Sequence, residues 1–217
     1  MIGTATPSGL HDFVFSVVAR VSPAKGRALD LGTGPGAMGE RLHSLGFDVV
    51  AVDRNAAVYQ GSRQFITQDL NERNFSAAVG PASFDLIVSV EVIEHVESPI
   101  NFLTNVAQLL KPGGRAVITT PNVDSLPARL RFLFGGKIRM MDEYSDPTHI
   151  SPIFIDLMRR QFLPQARLRI AEHHVFPTKG YQLTRQPLAS VLALLAPAFS
   201  GDSVLGDNHI FVLEAAK

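Results

Sequence analysis

Two periods of apolar residues run along this chain, one suited to helices and one to buried strands. Phe13, Val14, Val17, Val18 and Val21 recur at helical spacing and stop at Pro23, which predicts an amphipathic helix over 10–22. Residues 27–31 then read as a buried strand entering a glycine turn, after which Met38, Leu42 and Leu45 share a helical face capped by Gly46. Residues 47–53 predict a second strand and 64–70 a shorter third. Residues 83–90 are apolar enough for the centre of a parallel sheet. Ser98-Pro99 starts a helix with Ile100, Leu103, Ala107 and Leu110 on one face, and Lys111-Pro112-Gly113-Gly114 ends it before a strand over 114–120. Past the less regular stretch 124–146, Ile153, Leu157 and Phe162 predict another helix. Strands over 167–176 and 208–215 fit an antiparallel pair. They flank the apolar run 188–199, which is too short to span a bilayer and is expected to pack as a core helix.

Strands alternating with helices predict an α/β sandwich with a mostly parallel seven-stranded sheet and a terminal antiparallel strand. A length of 217 residues suits a single domain: a helix over 10–22, a ligand-binding core over 25–121, a lid or substrate region over 122–165, and C-terminal strands and helix over 166–217. The net charge is zero, so no DNA partner is expected and RNA is disfavoured, because non-specific affinity for nucleic acids comes from basic residues neutralising phosphates. With no cysteine, disulfides, thiolate metal sites and a cysteine nucleophile are excluded. No basic leader and no apolar run of about 18 residues is evident, so the expected location is cytoplasmic, with peripheral contact to a lipid surface as a minor alternative.

The chemistry begins at the first glycine turn. Gly32, Gly34 and Gly36 let backbone N–H groups approach a ligand closely. Gly34-x-Gly36-x-x-Gly39 formally matches a dinucleotide fingerprint, but Asp30, two residues before the turn, would repel a pyrophosphate and suits a cationic ligand. Asp53 ends the second strand about 20 residues later, where a carboxylate can accept both vicinal hydroxyls of a ribose. The alternative for Asp53 is a solvated strand-end acid.

Three runs carry a resemblance that covers residues 25–155: Leu29-Asp30-Leu31-Gly32-x-Gly34-x-Gly36, then 84–95 ending in Glu91-x-x-Glu94-His95, then Leu109-Leu110-Lys111-Pro112-Gly113-Gly114 with Pro121-Asn122. Together they resemble the class I, Rossmann-like methyltransferases that use S-adenosylmethionine (SAM), in the branch of the ubiquinone-biosynthesis O-methyltransferases. The resemblance implies SAM as cofactor and S-adenosylhomocysteine as product. It implies cofactor contacts from Asp30, Gly32, Thr33, Gly34, Gly36, Asp53, Arg54, Asp69, Leu70 and Val90, with Asp30 at the amine of the methionine moiety and Asp69-Leu70 at the adenine. For Asp69 the competing reading is a cap on the following turn. A small-molecule acceptor methylated on a hydroxyl oxygen is the first expectation. N- or C-methylation, RNA methylation and a non-catalytic SAM-binding regulatory domain are the alternatives.

Glu91, Glu94 and His95 stand at i, i+3 and i+4, a spacing that on a helix converges on one face. In some relatives a Glu-x-x-Glu-His run binds a divalent ion, sometimes with a later histidine such as His149; many others carry Glu-His without metal. The expectation is therefore a metal-free site with His95 or His149 as general base, and Glu91, Glu94, His95 and His149 as the lesser metal candidates. His173, His174 and His209 are expected to be structural, while His11 can face either way. Leu126, Leu130, Leu133 and Phe134 interleave with Arg129, Arg131, Lys137 and Arg139. That segment reads as a lid over an apolar, anionic acceptor or as an amphipathic helix with solvated arginines, and Asp142, Glu143 and Asp146 favour the second.

Overall fold

The computed structural model describes residues 8–22, 25–199, 201 and 203–216; the Pro23 stop and the first seven residues lie outside the described residues. Seven strands form one sheet: β1 (Arg27–Leu31), β2 (Asp48–Asp53), β3 (Gln64–Thr67), β4 (Phe84–Ser89), β5 (Leu110–Pro121), β6 (Leu168–Phe176) and β7 (Asn208–Ala215). Their order is β3-β2-β1-β4-β5-β7-β6. β1 to β5 pair in parallel, and β7 inserts between β5 and β6, antiparallel to both. The chain moves outward from β1 in one direction and from β4 in the other. Loops leaving β1 and β4 therefore diverge and open a crevice at the carboxyl ends of the strands.

Burial on both faces explains why β1, β2 and β4 read as apolar runs rather than alternating ones. On one face Leu29, Leu31, Ile87 and Ile118 pack with Phe75 of α3 (Phe75–Val79), Phe102 and Val106 of α4 (Pro99–Leu109) and Met158. On the other, Ala28, Leu86, Val88 and Val117 meet Leu10, Val14 and Val18 of α1 (Leu10–Val21) and Met38 and Leu42 of α2 (Ala37–Ser44). Truncating a fully buried aromatic such as Phe102 to alanine costs about 3–5 kcal/mol. A third, smaller cluster joins Leu126 and Leu130 of α5 (Leu126–Gly135) to Ala189, Leu192 and Ala196 of the helix Leu188–Leu195 and its continuation.

Several predicted boundaries move for identifiable reasons. Ser98 caps α4 by accepting from Asn101 N–H at 3.2 Å, with Pro99 in the first turn as expected. The buried face of α4 is Phe102, Leu103, Asn105, Val106 and Leu109, and Leu110 already belongs to β5. Leu110 pairs with Phe84, and Arg115 with Leu86, so the Lys-Pro-Gly-Gly turn is looped out as an irregularity inside the strand. The predicted helix near 153–162 occupies 155–165 and is π-helical over Met158–Phe162. That wider turn shifts the buried face to Ile155, Met158 and Leu163 and leaves Leu157 exposed. Leu188–Leu195 buries only Ala189 and Leu192, so it lies on the surface with an apolar outer side and is not the core helix expected. Among the described residues, no helix is long and apolar enough to cross a membrane.

Candidate active site

The crevice holds two adjoining cavities of about 680 and 580 Å³ that share Gly32, Glu91 and His95. Asp30, Thr33, Gly34 and Val90 line the first cavity, while Asp53, Arg54, Asp69 and Leu70 line the second. Gly36 lines neither. It precedes α2 at φ +97, and a Cβ there would meet the Tyr59 ring at 2.8 Å, so its role is to make the turn.

Asp30 points off β1 toward α2 and is only 2% exposed. Thr33 Oγ1 donates to it at 2.5 Å, yet burial dominates and pushes its pKa up to about 6. A cation beside it would relieve that cost. Asp53 at the end of β2 accepts from Gly34 N–H at 2.9 Å and from Asn55 N–H at 3.0 Å, so the second strand braces the glycine loop of the first. Asp69 accepts from Asn71 N–H at 2.9 Å, making the local turn that competed with its adenine role while still facing the second cavity.

After β4 the backbone turns sharply, with Glu91 at φ +55. Glu91 N–H donates to Thr119 Oγ1 at 2.9 Å, Thr119 donates back to the Glu91 carboxylate at 2.7 Å, and Asn208 Nδ2 donates to it at 2.6 Å. Burial nevertheless raises its pKa to about 7. The following residues Ile93–His95 form a short 3₁₀ turn rather than a helix. The Glu91 carboxylate is consequently held by β5 and β7, and the four metal candidates do not all come together.

Three of those four residues do meet. Ligand-type atoms of Glu94, His95 and His149 lie within 4.8 Å of one another. The Glu94 backbone carbonyl accepts from Ile150 and Ser151 N–H groups, both at 2.9 Å, which holds His149 over the turn. The imidazoles of His95 and His149 are 4.6 Å apart between centroids. His149 Nδ1 donates to Met140 O at 2.7 Å, and His95 Nδ1 lies 3.1 Å from Thr148 O and 2.8 Å from Thr148 Oγ1. These contacts fix the rings and leave each Nε2 as an acceptor. Burial, reinforced by His149, lowers the His95 pKa. Glu94 is fully buried with neither carboxylate oxygen hydrogen-bonded, and burial together with the Glu91 charge raises its pKa well above the usual range.

Sequence reasoning did not single out Gln68, which lines the second cavity, or the buried Arg139–Asp207 pair at 2.9 Å. Asp207 also accepts from Gln182 and Leu183 N–H groups and so ties the C-terminal segment to the stretch that carries Arg139. Arg131 pairs with Asp142 and Arg139 with Asp207, so the arginines of this segment are largely engaged rather than simply solvated, and it is the apolar end of α5 that is exposed. His209 is fully buried against His173 and Phe211, as expected of a structural histidine.

Comparison with known proteins agrees with this geometry. A methyltransferase domain family model matches residues 8–167. The ubiquinone biosynthesis O-methyltransferase of Roseobacter denitrificans is 40% identical over 112 residues, covering 48% of this chain and 45% of that protein. The enzyme of the same name from Xanthomonas campestris pv. campestris is 33% identical over 113 residues, covering 49% and 47%. The chain thus aligns with about half the length of these curated relatives. A SAM-dependent methyltransferase from Archaeoglobus fulgidus shares the fold at a TM-score of 0.60, with 19% identity and coverage of 95% and 94%. Haemonchus contortus phosphoethanolamine N-methyltransferase 2, solved with S-adenosyl-L-methionine, does so at 0.63, with 16% identity and coverage of 99% and 54%. Sheet order, glycine loop and family match converge: the chain belongs to the methyltransferase domain family and has the fold of the S-adenosylmethionine-dependent methyltransferases it resembles.

Proposed function

We propose that this protein transfers the methyl group of SAM to a hydroxyl oxygen of a small-molecule acceptor. The observation that carries the reading is the junction of the two cavities at Gly32, Glu91 and His95. Adenosine fits the cavity edged by Asp53, Asp69 and Leu70, with the ribose hydroxyls on Asp53. The methionine moiety follows the glycine loop, with its ammonium toward Asp30. The sulfonium then falls at the shared wall, and the rest of the larger cavity is left to the acceptor beneath residues 122–165.

Methyl transfer from a sulfonium is an in-line displacement, so positioning supplies most of the catalysis. The acceptor must lose a proton as its oxygen is methylated. His95, with Nδ1 held by Thr148 and its pKa lowered, is neutral near pH 7 and presents Nε2 as the base. His149 stands edge-on to it as a second acceptor. A metal-assisted variant is favoured by one specific observation, the unpartnered carboxylate of Glu94 beside two imidazoles with free Nε2 atoms. Glu94, His95 and His149 fit a divalent cation, which would supply Lewis-acid lowering of the hydroxyl pKa.

Calorimetry with S-adenosylhomocysteine, with NADH as control, followed by turnover on phenolic acceptors with and without chelator, tests the proposal. Micromolar binding of the adenosyl ligand and methylation of a phenol are expected. Binding of NADH alone overturns the reading.

A further inference from the structure

Asp146 enters the sequence pattern only as an acid balancing nearby arginines, yet it lines the larger cavity. Thr148 Oγ1 donates to Asp146 Oδ1 at 2.6 Å, and Thr148 N–H donates to the same oxygen at 2.8 Å. These two bonds, the hydroxyl's first, hold the Asp146 carboxyl below its ordinary range, so it is ionised at neutral pH and can only accept. Thr148 Oγ1 also lies 2.8 Å from His95 Nδ1. A hydroxyl has one proton, and here that proton is committed to Asp146. The oxygen therefore meets His95 as an acceptor, and the hydrogen between them belongs to Nδ1. Thr148 O, 3.1 Å from the same nitrogen, can likewise only accept.

The turn that carries these groups is fastened to the 3₁₀ turn that carries His95. Ile150 and Ser151 N–H donate to Glu94 O, Ser151 Oγ donates to Val96 O at 2.7 Å, and His149 N–H closes the turn on Asp146 O at 3.1 Å. Asp146 and His149 line the larger cavity while Pro147, Thr148 and Ile150 line the smaller, so this turn stands between the two. A turn-capping aspartate accounts for the bond to Thr148 N–H. The second bond, to the hydroxyl, does more, because it sets the direction of the next hydrogen bond along. Without the carboxylate, the Thr148 hydroxyl can turn its proton toward Nδ1. It would then favour the opposite tautomer, in which Nε2 already carries a proton and cannot take another.

We infer that Asp146, acting through the Thr148 hydroxyl, is a positioning residue that holds His95 in the tautomer with a free Nε2. This role deepens the proposed function and rests on its reading of His95 as the base. Neither Asp146 nor Thr148 takes the acceptor's proton; together they keep one proton on the far side of the ring, as the third member of a nucleophile–base chain does. Loss of the two groups has unequal consequences. Thr148→Val removes one acceptor and leaves Thr148 O in place. Asp146→Ala turns the hydroxyl from an acceptor into a competing donor, and it is the more harmful change. Adding Thr148→Val to Asp146→Ala removes that donor and restores the ring.

The test reads the tautomer by nitrogen NMR of the imidazoles in the full chain at about pH 8, where histidines are neutral, with the His95 signals identified by their loss in His95→Ala. Turnover of a phenolic acceptor and S-adenosylhomocysteine calorimetry are measured on the same variants. Wild type and Thr148→Ser should hold His95 as Nδ1–H. Asp146→Ala should show a large Nε2–H fraction and a kcat about tenfold lower, with KM and cofactor affinity within about threefold of wild type. The double variant should return to the tautomer and kcat of Thr148→Val alone. Retention of the wild-type tautomer in Asp146→Ala overturns the inference. So does a double variant as impaired as Asp146→Ala, because the loss would then come from a loosened turn. The tautomer is read without turnover, so normal turnover in His95→Ala would remove His95 as the base while the NMR result still decides what Asp146 does to the ring.

Discussion

Gly32 and Gly34 are two residues apart in the same loop and both have positive φ, +71 and +52, yet alanine should do different damage at each. A left-handed conformation costs an L-residue about 1 kcal/mol, and this cost is common to both variants. At Gly32 the added Cβ would also lie 2.4 Å from Val92 Cγ2 and 3.0 Å from Cγ1, on a valine packed against the core and unable to swing away. Overpacking of this kind adds about 1–3 kcal/mol, giving roughly 3 kcal/mol in total. At Gly34 nothing lies within 4 Å of the new Cβ, and the residue lines the larger cavity. In a chain of this size each kcal/mol lowers Tm by about 2–4 °C, so Gly32→Ala should lose roughly 6–12 °C and Gly34→Ala about 2–4 °C. The order reverses for binding relative to stability: Gly34→Ala, nearly as stable as the parent, should bind S-adenosylhomocysteine about tenfold or more weakly because its methyl occupies ligand space. Differential scanning calorimetry and isothermal titration read the two quantities on the same samples. Equal Tm losses would refute the steric argument. Unchanged affinity in Gly34→Ala would refute the placement of the ligand along the loop.

With the cofactor amine placed beside Asp30 as proposed, cofactor affinity should depend on pH. The native state holds its proton up to about pH 6, against 3.8 for an ordinary aspartate, so stability from this group is fullest below pH 3.8 and falls by about 3 kcal/mol as pH rises through 6. A ligand ammonium favours the ionised form, so S-adenosylhomocysteine should bind more tightly from pH 5 to about pH 7, and Asp30→Asn should flatten that rise in a calorimetric series. On the proposed placement of the ribose, Asp53→Ala removes two charge-assisted bonds to its hydroxyls as well as the brace on Gly34 N–H. It should weaken binding by about 2–4 kcal/mol in the same assay, and an unchanged Kd would remove Asp53 from the site. His95→Ala should leave cofactor affinity within about threefold while lowering kcat by about 10²–10⁴. Normal turnover in that variant would exclude His95 as the base.

The parts of this molecule that were legible in the sequence are those decided locally or by burial on both faces. The apolar runs of β1, β2 and β4, the positive φ of the loop glycines, and the carboxylates ending strands at 30 and 53 each have a physical reason that needs no distant partner. Features fixed by distant residues were not legible. Asp207 lies 68 residues from Arg139, in a glycine-containing stretch that gives no sign that its carboxylate will be buried. The exposed apolar end of α5 has the same composition as a core helix; only the absence of a covering layer distinguishes it, and a periodicity cannot register that.

The Glu91-x-x-Glu94-His95 run shows how such a reading fails and what the failure implies. Spacing of i, i+3 and i+4 converges only if the backbone is helical from the first residue. Here the first residue is left-handed and the turn after it is 3₁₀, because Thr119 on β5 and Asn208 on β7 capture the Glu91 carboxylate from 28 and 117 residues away. The carboxylate thereby becomes part of the wall shared by both cavities, while Glu94 turns inward and stays unpartnered beside His95 and His149. The two glutamates, alike in sequence, are thus held in different surroundings by the strands behind them. Removing Asn208 should act first on Glu91: Asn208→Ala deletes one of its two side-chain donors and leaves the hydrogen bonds that hold His95 and His149 in place. If Glu91 positions the acceptor or the sulfonium, that variant should change KM and kcat without altering sensitivity to chelator. A change in chelator sensitivity instead would place Glu91 with the other three after all.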